Sequence, residues 1–124
     1  MGGRGASSGL KKHLPNYKNA VIDMHGKLKN YLLNPQKSNG KAAFFNSIGY
    51  NMKNYKTLEK DIRAGLKKNN AIEYQKNEYG HTPYSVSMEL GVNKKENVIT
   101  AWQIDEGKNT ARFITAYPKN GRKK

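Results

Sequence analysis

The chain changes its hydrophobic period once, at Asn69-Asn70, and that single change limits its fold more than any motif does. Upstream, apolar residues recur three and four apart: Leu28, Tyr31 and Leu32, then Phe44, Phe45 and Ile48, then Leu58, Ile62 and Leu66. Such spacing marks one face of a helix. Downstream, Val86, Met88 and Leu90 alternate with Ser85, Ser87 and Glu89, the two-residue period of a half-buried strand. Helices first and strands second imply an α+β domain rather than a parallel βαβ sheet.

Helices are expected over residues 23–33, 41–48 and from 54 or 57 to 69. Asp23 can cap the first, and Asn34-Pro35 stops it because the residue before proline avoids helical geometry. Gly49 suits a left-handed cap on the second. Strands are expected over 71–76, 84–90, 97–104 and 111–117, and their short connections make them antiparallel. The expected architecture is N-terminal helices packed on a four-stranded antiparallel sheet. Residues 1–13 read as a flexible basic linker, 14–118 as the folded domain and 119–124 as a basic tail. The first 20 residues are polar and read as loose.

Charge divides at the same place. Residues 1–70 carry 14 Lys+Arg against 3 Asp+Glu, residues 71–118 carry 5 against 6, and the whole chain has a formal net charge of +14. A basic helical part beside a neutral sheet part points to a polyanionic partner. The chain has no cysteine, which excludes disulfides, thiolate nucleophiles and cysteine-bound zinc. No apolar run approaches the roughly 18 residues of a membrane span. Phosphate-binding loops, dinucleotide fingerprints and HExxH are absent. The 9 acidic residues form no tight carboxylate cluster, so neither a two-metal nuclease site nor a cofactor is expected.

Cleavage of nucleic acid without metal is open to RNA, whose 2′-hydroxyl is an internal nucleophile. It needs a base, an acid and cations for the charge that develops on phosphorus. His25 stands beside Lys27 and Lys29, where cationic neighbours favour a neutral, proton-accepting imidazole. His81 lies in a turn between Tyr79 and Tyr84. Either is a candidate base or acid, and His13 is the weakest of the three. Lys27 and Lys41 open helices, an unfavourable place for a cation unless it binds phosphate together with the helix start. Thr100 and Trp102 share one strand face, and Phe113, Thr115 and Tyr117 share another. Hydroxyls and aromatic rings on a sheet suit phosphate binding and base stacking. Lys29, Lys41, Thr100 and Trp102 are therefore candidate RNA-binding residues. His25, His81, Lys27, Thr115 and Tyr117 are candidate catalytic residues.

The stretch 27–35 (KLKNYLLNP), then 40–45 (GKAAFF), then Ile48-Gly49-Tyr50, resembles a C-terminal ribonuclease domain of bacterial polymorphic toxins. Thr100-Ala-Trp102-Gln-Ile-Asp105 and Thr115-Ala-Tyr117-Pro118 fit the same group, so the resemblance spans roughly residues 14–118. Such domains end contact-dependent inhibition proteins and phage-head-like carriers, and fall in the barnase, EndoU, colicin and RelE-like fold group. The resemblance implies metal-independent RNA cleavage, often of tRNA, and a cognate acidic immunity protein. It also implies a monomeric toxin, secreted or delivered, that acts in the target-cell cytoplasm. Lys27, Lys41, Thr115 and Tyr117 match family positions, Thr100 and Trp102 less firmly. His25 and His81 rest on their chemistry alone. Two other readings stay open: a non-catalytic nucleic-acid-binding module, and an interaction domain of a phage structural protein.

Overall fold

A computed structural model describes residues 12–23, 26–34, 36 and 40–119. Most of the expected linker, most of the tail, and His25 lie outside the described residues. The chain forms a short π-helix (Lys27–Leu32), helix α1 (Lys41–Ser47), helix α2 (Tyr55–Lys68) and four strands. These are β1 (Ala71–Glu73), β2 (Thr82–Leu90), β3 (Glu96–Ile104) and β4 (Arg112–Pro118). The strands pair antiparallel in the order β1-β2-β3-β4, a meander. Helices on one face of a four-stranded antiparallel sheet make an α+β domain, as the change of period predicts.

The helix-facing side of the sheet is the core. Tyr84, Val86, Met88 and Leu90 of β2 meet Val98, Thr100 and Trp102 of β3, and Phe113 and Ala116 of β4, all buried. Helix α2 lays Leu58, Ile62 and Leu66 on this surface. Gly65 lies in the same stripe, where an added Cβ would collide with the Met88 side chain. Its absence lets the helix settle close to β2. Helix α1 ends as Gly49 predicts. With φ of 106°, Gly49 closes a double turn in which Tyr50 N donates to Phe45 O (2.9 Å) and Gly49 N to Asn46 O (3.0 Å).

Three expectations change. The first helix is six residues of π-helix, not eleven of α-helix. Gly26 at φ 71° turns the chain before it, and the Asp23 carboxylate caps from outside by accepting from Leu28 N at 2.8 Å. Strand β1 stops at Glu73. Residues 12–20 are anchored rather than loose. Lys12 pairs with Ala71 beside β1, His13 Nε2 lies 2.7 Å from Lys67 O at the end of α2, and Arg63 donates to Lys18 O and Ala20 O. Val21 then covers the outer edge of β4 by donating to Ala111 O and accepting from Phe113 N. Both edges of the sheet are thereby partly closed.

Candidate active site

Strand β4 does not alternate evenly. Phe113 pairs with Trp102 and Thr115 with Ala101, so Ile114 is an extra, unpaired residue: a β-bulge. The bulge corrects the expectation that Phe113 shares a face with Thr115 and Tyr117. Phe113 turns into the core, edge to face with Trp102 at 5.5 Å between centroids. Arg112, which simple alternation would set opposite Thr115, joins Thr115 and Tyr117 on the open face, opposite Gln103. The bulge thus gathers a guanidinium, a hydroxyl and a phenol on one side of one strand.

Two lysines from the helical layer reach the same place. Lys41, the first residue of α1, donates from Nζ to Thr115 Oγ1 at 3.1 Å. Lys27 and Lys41 both approach the Tyr31 ring, each Nζ 5.9 Å from its centroid. The ring attracts both ammonium groups and so ties Lys27 and Lys41 to one side chain. The Lys27 ammonium is pushed below the usual lysine range, first by burial and then by the positive charge of Arg112. Among the described residues neither lysine has a carboxylate partner.

Arg112 has one. Its Nε donates to Asp105 Oδ2 at 3.0 Å, and Gln103 Nε2 donates to Asp105 Oδ1 at 2.6 Å. These two donors hold the Asp105 carboxyl below the ordinary range, Arg112 contributing most. His81 completes the group, with Nδ1 3.7 Å from Asp105 Oδ1. Thr115, Lys41, Tyr31, Lys27, Arg112, Asp105 and His81 therefore form one run of interactions across the β3–β4 end of the sheet, the Lys27–Arg112 step being a repulsion. Tyr117 stands one pleat beyond Thr115, 41% exposed, without a hydrogen bond to the group.

The other candidates fare differently. Thr100 and Trp102 are 0% and 1% exposed. Trp102 Nε1 donates to Thr100 Oγ1, which donates to Val86 O, so both polar side chains are satisfied inside the core. With no free surface they leave the set of RNA-contacting residues. Lys29 turns to a different ring, that of Tyr55, at 5.7 Å. The helix-start argument for Lys27 and Lys41 also gives way. Their helices have six and seven residues, too short for an anion site of their own. The lysines meet through Tyr31 and Thr115 instead. Arg112, Asp105 and Tyr31 were not singled out from sequence as site residues. Arg112 is the one charge in the apolar run 111–117, and that was the only available signal for it.

Among the described residues no three metal-ligating side chains converge, and no helix is long and apolar enough to cross a membrane. Residues 13–120 match a family described as a domain of unknown function, DUF6883. The chain belongs to that family. No curated protein and no solved structure matches it.

Proposed function

We propose that this DUF6883 domain is a toxin-type, metal-independent endoribonuclease, with tRNA the favoured substrate. The observation that carries the proposal is the convergence of Lys27 and Lys41 on Tyr31, with Lys41 bonded to Thr115 on the Arg112 face of β4. Cations gathered around one ring, with the Arg112 charge acting on Lys27, are a preformed counter-charge for a phosphate and for the greater charge of its transition state. The resemblance to polymorphic-toxin ribonucleases points the same way, as does the +14 net charge.

In this reading Lys41, Thr115 and Arg112 hold the scissile phosphate and Tyr117 orients the nucleotide beside it. His81 takes the proton of the 2′-hydroxyl as its oxygen bonds to phosphorus. The bond from phosphorus to the 5′-oxygen breaks, and that oxygen takes a proton from the Lys27 ammonium, which its lowered pKa makes a better acid. The products are a 2′,3′-cyclic phosphate and a 5′-hydroxyl. An acidic immunity protein would neutralise the domain by covering the same cations, and delivery into a target cell would expose RNA to them.

Induction of the domain in bacteria, with total RNA run on a gel, tests the proposal. Loss of intact tRNA with wild type, and its retention with Lys41→Ala, is the expected result. Undamaged RNA and normal growth with wild type overturn it. Salt-dependent RNA retention without cleavage would leave a binding module.

A further inference from the structure

His81 is held in a form that cannot act as the base. Glu106 N donates to His81 Nδ1 at 2.9 Å, so the neutral ring carries its proton on Nε2 and has no lone pair there. The other tautomer, with the proton on Nδ1, would free Nε2. It needs an acceptor beside Nδ1, and Asp105 Oδ1 stands 3.7 Å from it. That oxygen already accepts from Gln103, and its partner oxygen accepts from Arg112. The Tyr79 ring lies 6.2 Å away, and Glu106 approaches Nδ1 as a backbone donor while its carboxylate lies against Gly80.

We propose that Asp105 is a positioning residue that switches His81 to its base-competent tautomer when an anion draws Arg112 away. The guanidinium stands between two groups: it pairs with Asp105, and its charge reaches Lys27. A phosphate at the lysine pair competes for it. Released from that ion pair, the Asp105 carboxylate becomes the stronger acceptor for His81 Nδ1–H. His81 then gives its Nε2 proton to water and takes one from water at Nδ1, where it donates to Asp105 in place of accepting from Glu106 N, and Nε2 presents its lone pair to the 2′-hydroxyl. Occupied and empty sites thus differ in whether the base exists. This inference rests on the reading of His81 as the base.

The test uses ¹⁵N NMR of the His81 imidazole in the intact chain, with inorganic phosphate as the probe. In wild type the neutral ring is expected as the Nε2–H form without phosphate and to move toward Nδ1–H as phosphate is added. Asp105→Asn is expected to abolish that movement. Arg112→Gln is expected to populate Nδ1–H without phosphate, which keeps the test decisive where Asp105→Asn fails to fold. A ring that stays Nε2–H in wild type with phosphate, or moves equally in Asp105→Asn, overturns the proposal. So does Arg112→Gln with the phosphate-free wild-type signal. The readout is independent of RNA cleavage: a switch without cleavage refutes the enzyme reading alone, and cleavage without a switch refutes only the Asp105 role.

Discussion

Two polar corners of this domain obey opposite rules. Around Tyr50 every demand is met. The hydroxyl donates to Asp61 Oδ2 at 2.6 Å and accepts from Gly91 N at 2.9 Å, and burial together with Asp61 pushes its pKa well up. The adjoining groove of about 460 Å³ balances Asp61 and Glu89 against Lys68 and Lys95. Around Tyr31, two lysines share one ring and Arg112 adds repulsion on Lys27, with Asp105 the one carboxylate paired to any of the three among the described residues. Satisfied polar groups of the first kind fix a fold. Groups left in mutual repulsion indicate a site kept ready for something the chain does not contain.

The sharpest break between the two corners is expected from the lysines. Lys41→Ala or Lys27→Met is predicted to lower RNA cleavage by about 10²–10³, the scale of losing one transition-state donor. Lys27→Met should hold or raise Tm, since it relieves the repulsion from Arg112. A fall in Tm with full cleavage would make the Tyr31 corner structural. Tyr50→Phe is predicted to do the reverse, costing about 1–3 kcal/mol because Gly91 N–H loses its acceptor, with cleavage kept. Denaturant unfolding and a cleavage assay on the same protein check both halves.

Thr100→Val is predicted to behave like Tyr50→Phe. The Trp102 indole N–H would then be buried without an acceptor, at about 1–3 kcal/mol. RNA affinity lost at unchanged stability would restore Thr100 to the interface.

How far the sequence foretold these corners depends on whether its signals were local. The helical stripe of α2, the glycine cap of α1 and the alternation of β2 were legible because each arises from neighbouring residues. Lys27, Lys41 and Thr115 were also legible as candidates, by residue type and by resemblance. Their meeting point was not, because it depends on the Tyr31 ring and on a bulge. Alternation along 111–117 reads equally well with or without the extra residue Ile114, and only pairing with β3 decides it. Thr100 and Trp102 misled for a related reason. A threonine and a tryptophan on one strand face suit either RNA or each other, and the helices above that face favour the second.

A smaller effect separates the corners by pH. The Asp105 carboxyl is held below its ordinary value of 3.8, so its ion pair adds stability above that value and loses it as pH falls through the lower folded-state value. The Tm advantage of wild type over Asp105→Asn is predicted to be present at neutral pH and to vanish in acid. An advantage that persists in strong acid would assign it to something other than the Arg112 pair. Tyr50 has the opposite sign. Its raised pKa leaves the corner intact up to the ordinary tyrosine value of 10.0 and weakens it above, where the unfolded chain ionises first.

The central claim is that the crowded cations serve attack by a 2′-hydroxyl. Incubating the purified domain with tRNA in EDTA, and reading the fragment ends by mass spectrometry, tests it directly. The account predicts 2′,3′-cyclic phosphate and 5′-hydroxyl ends, lost in Lys41→Ala. Intact tRNA, or fragments with 3′-hydroxyl and 5′-phosphate ends, would contradict it.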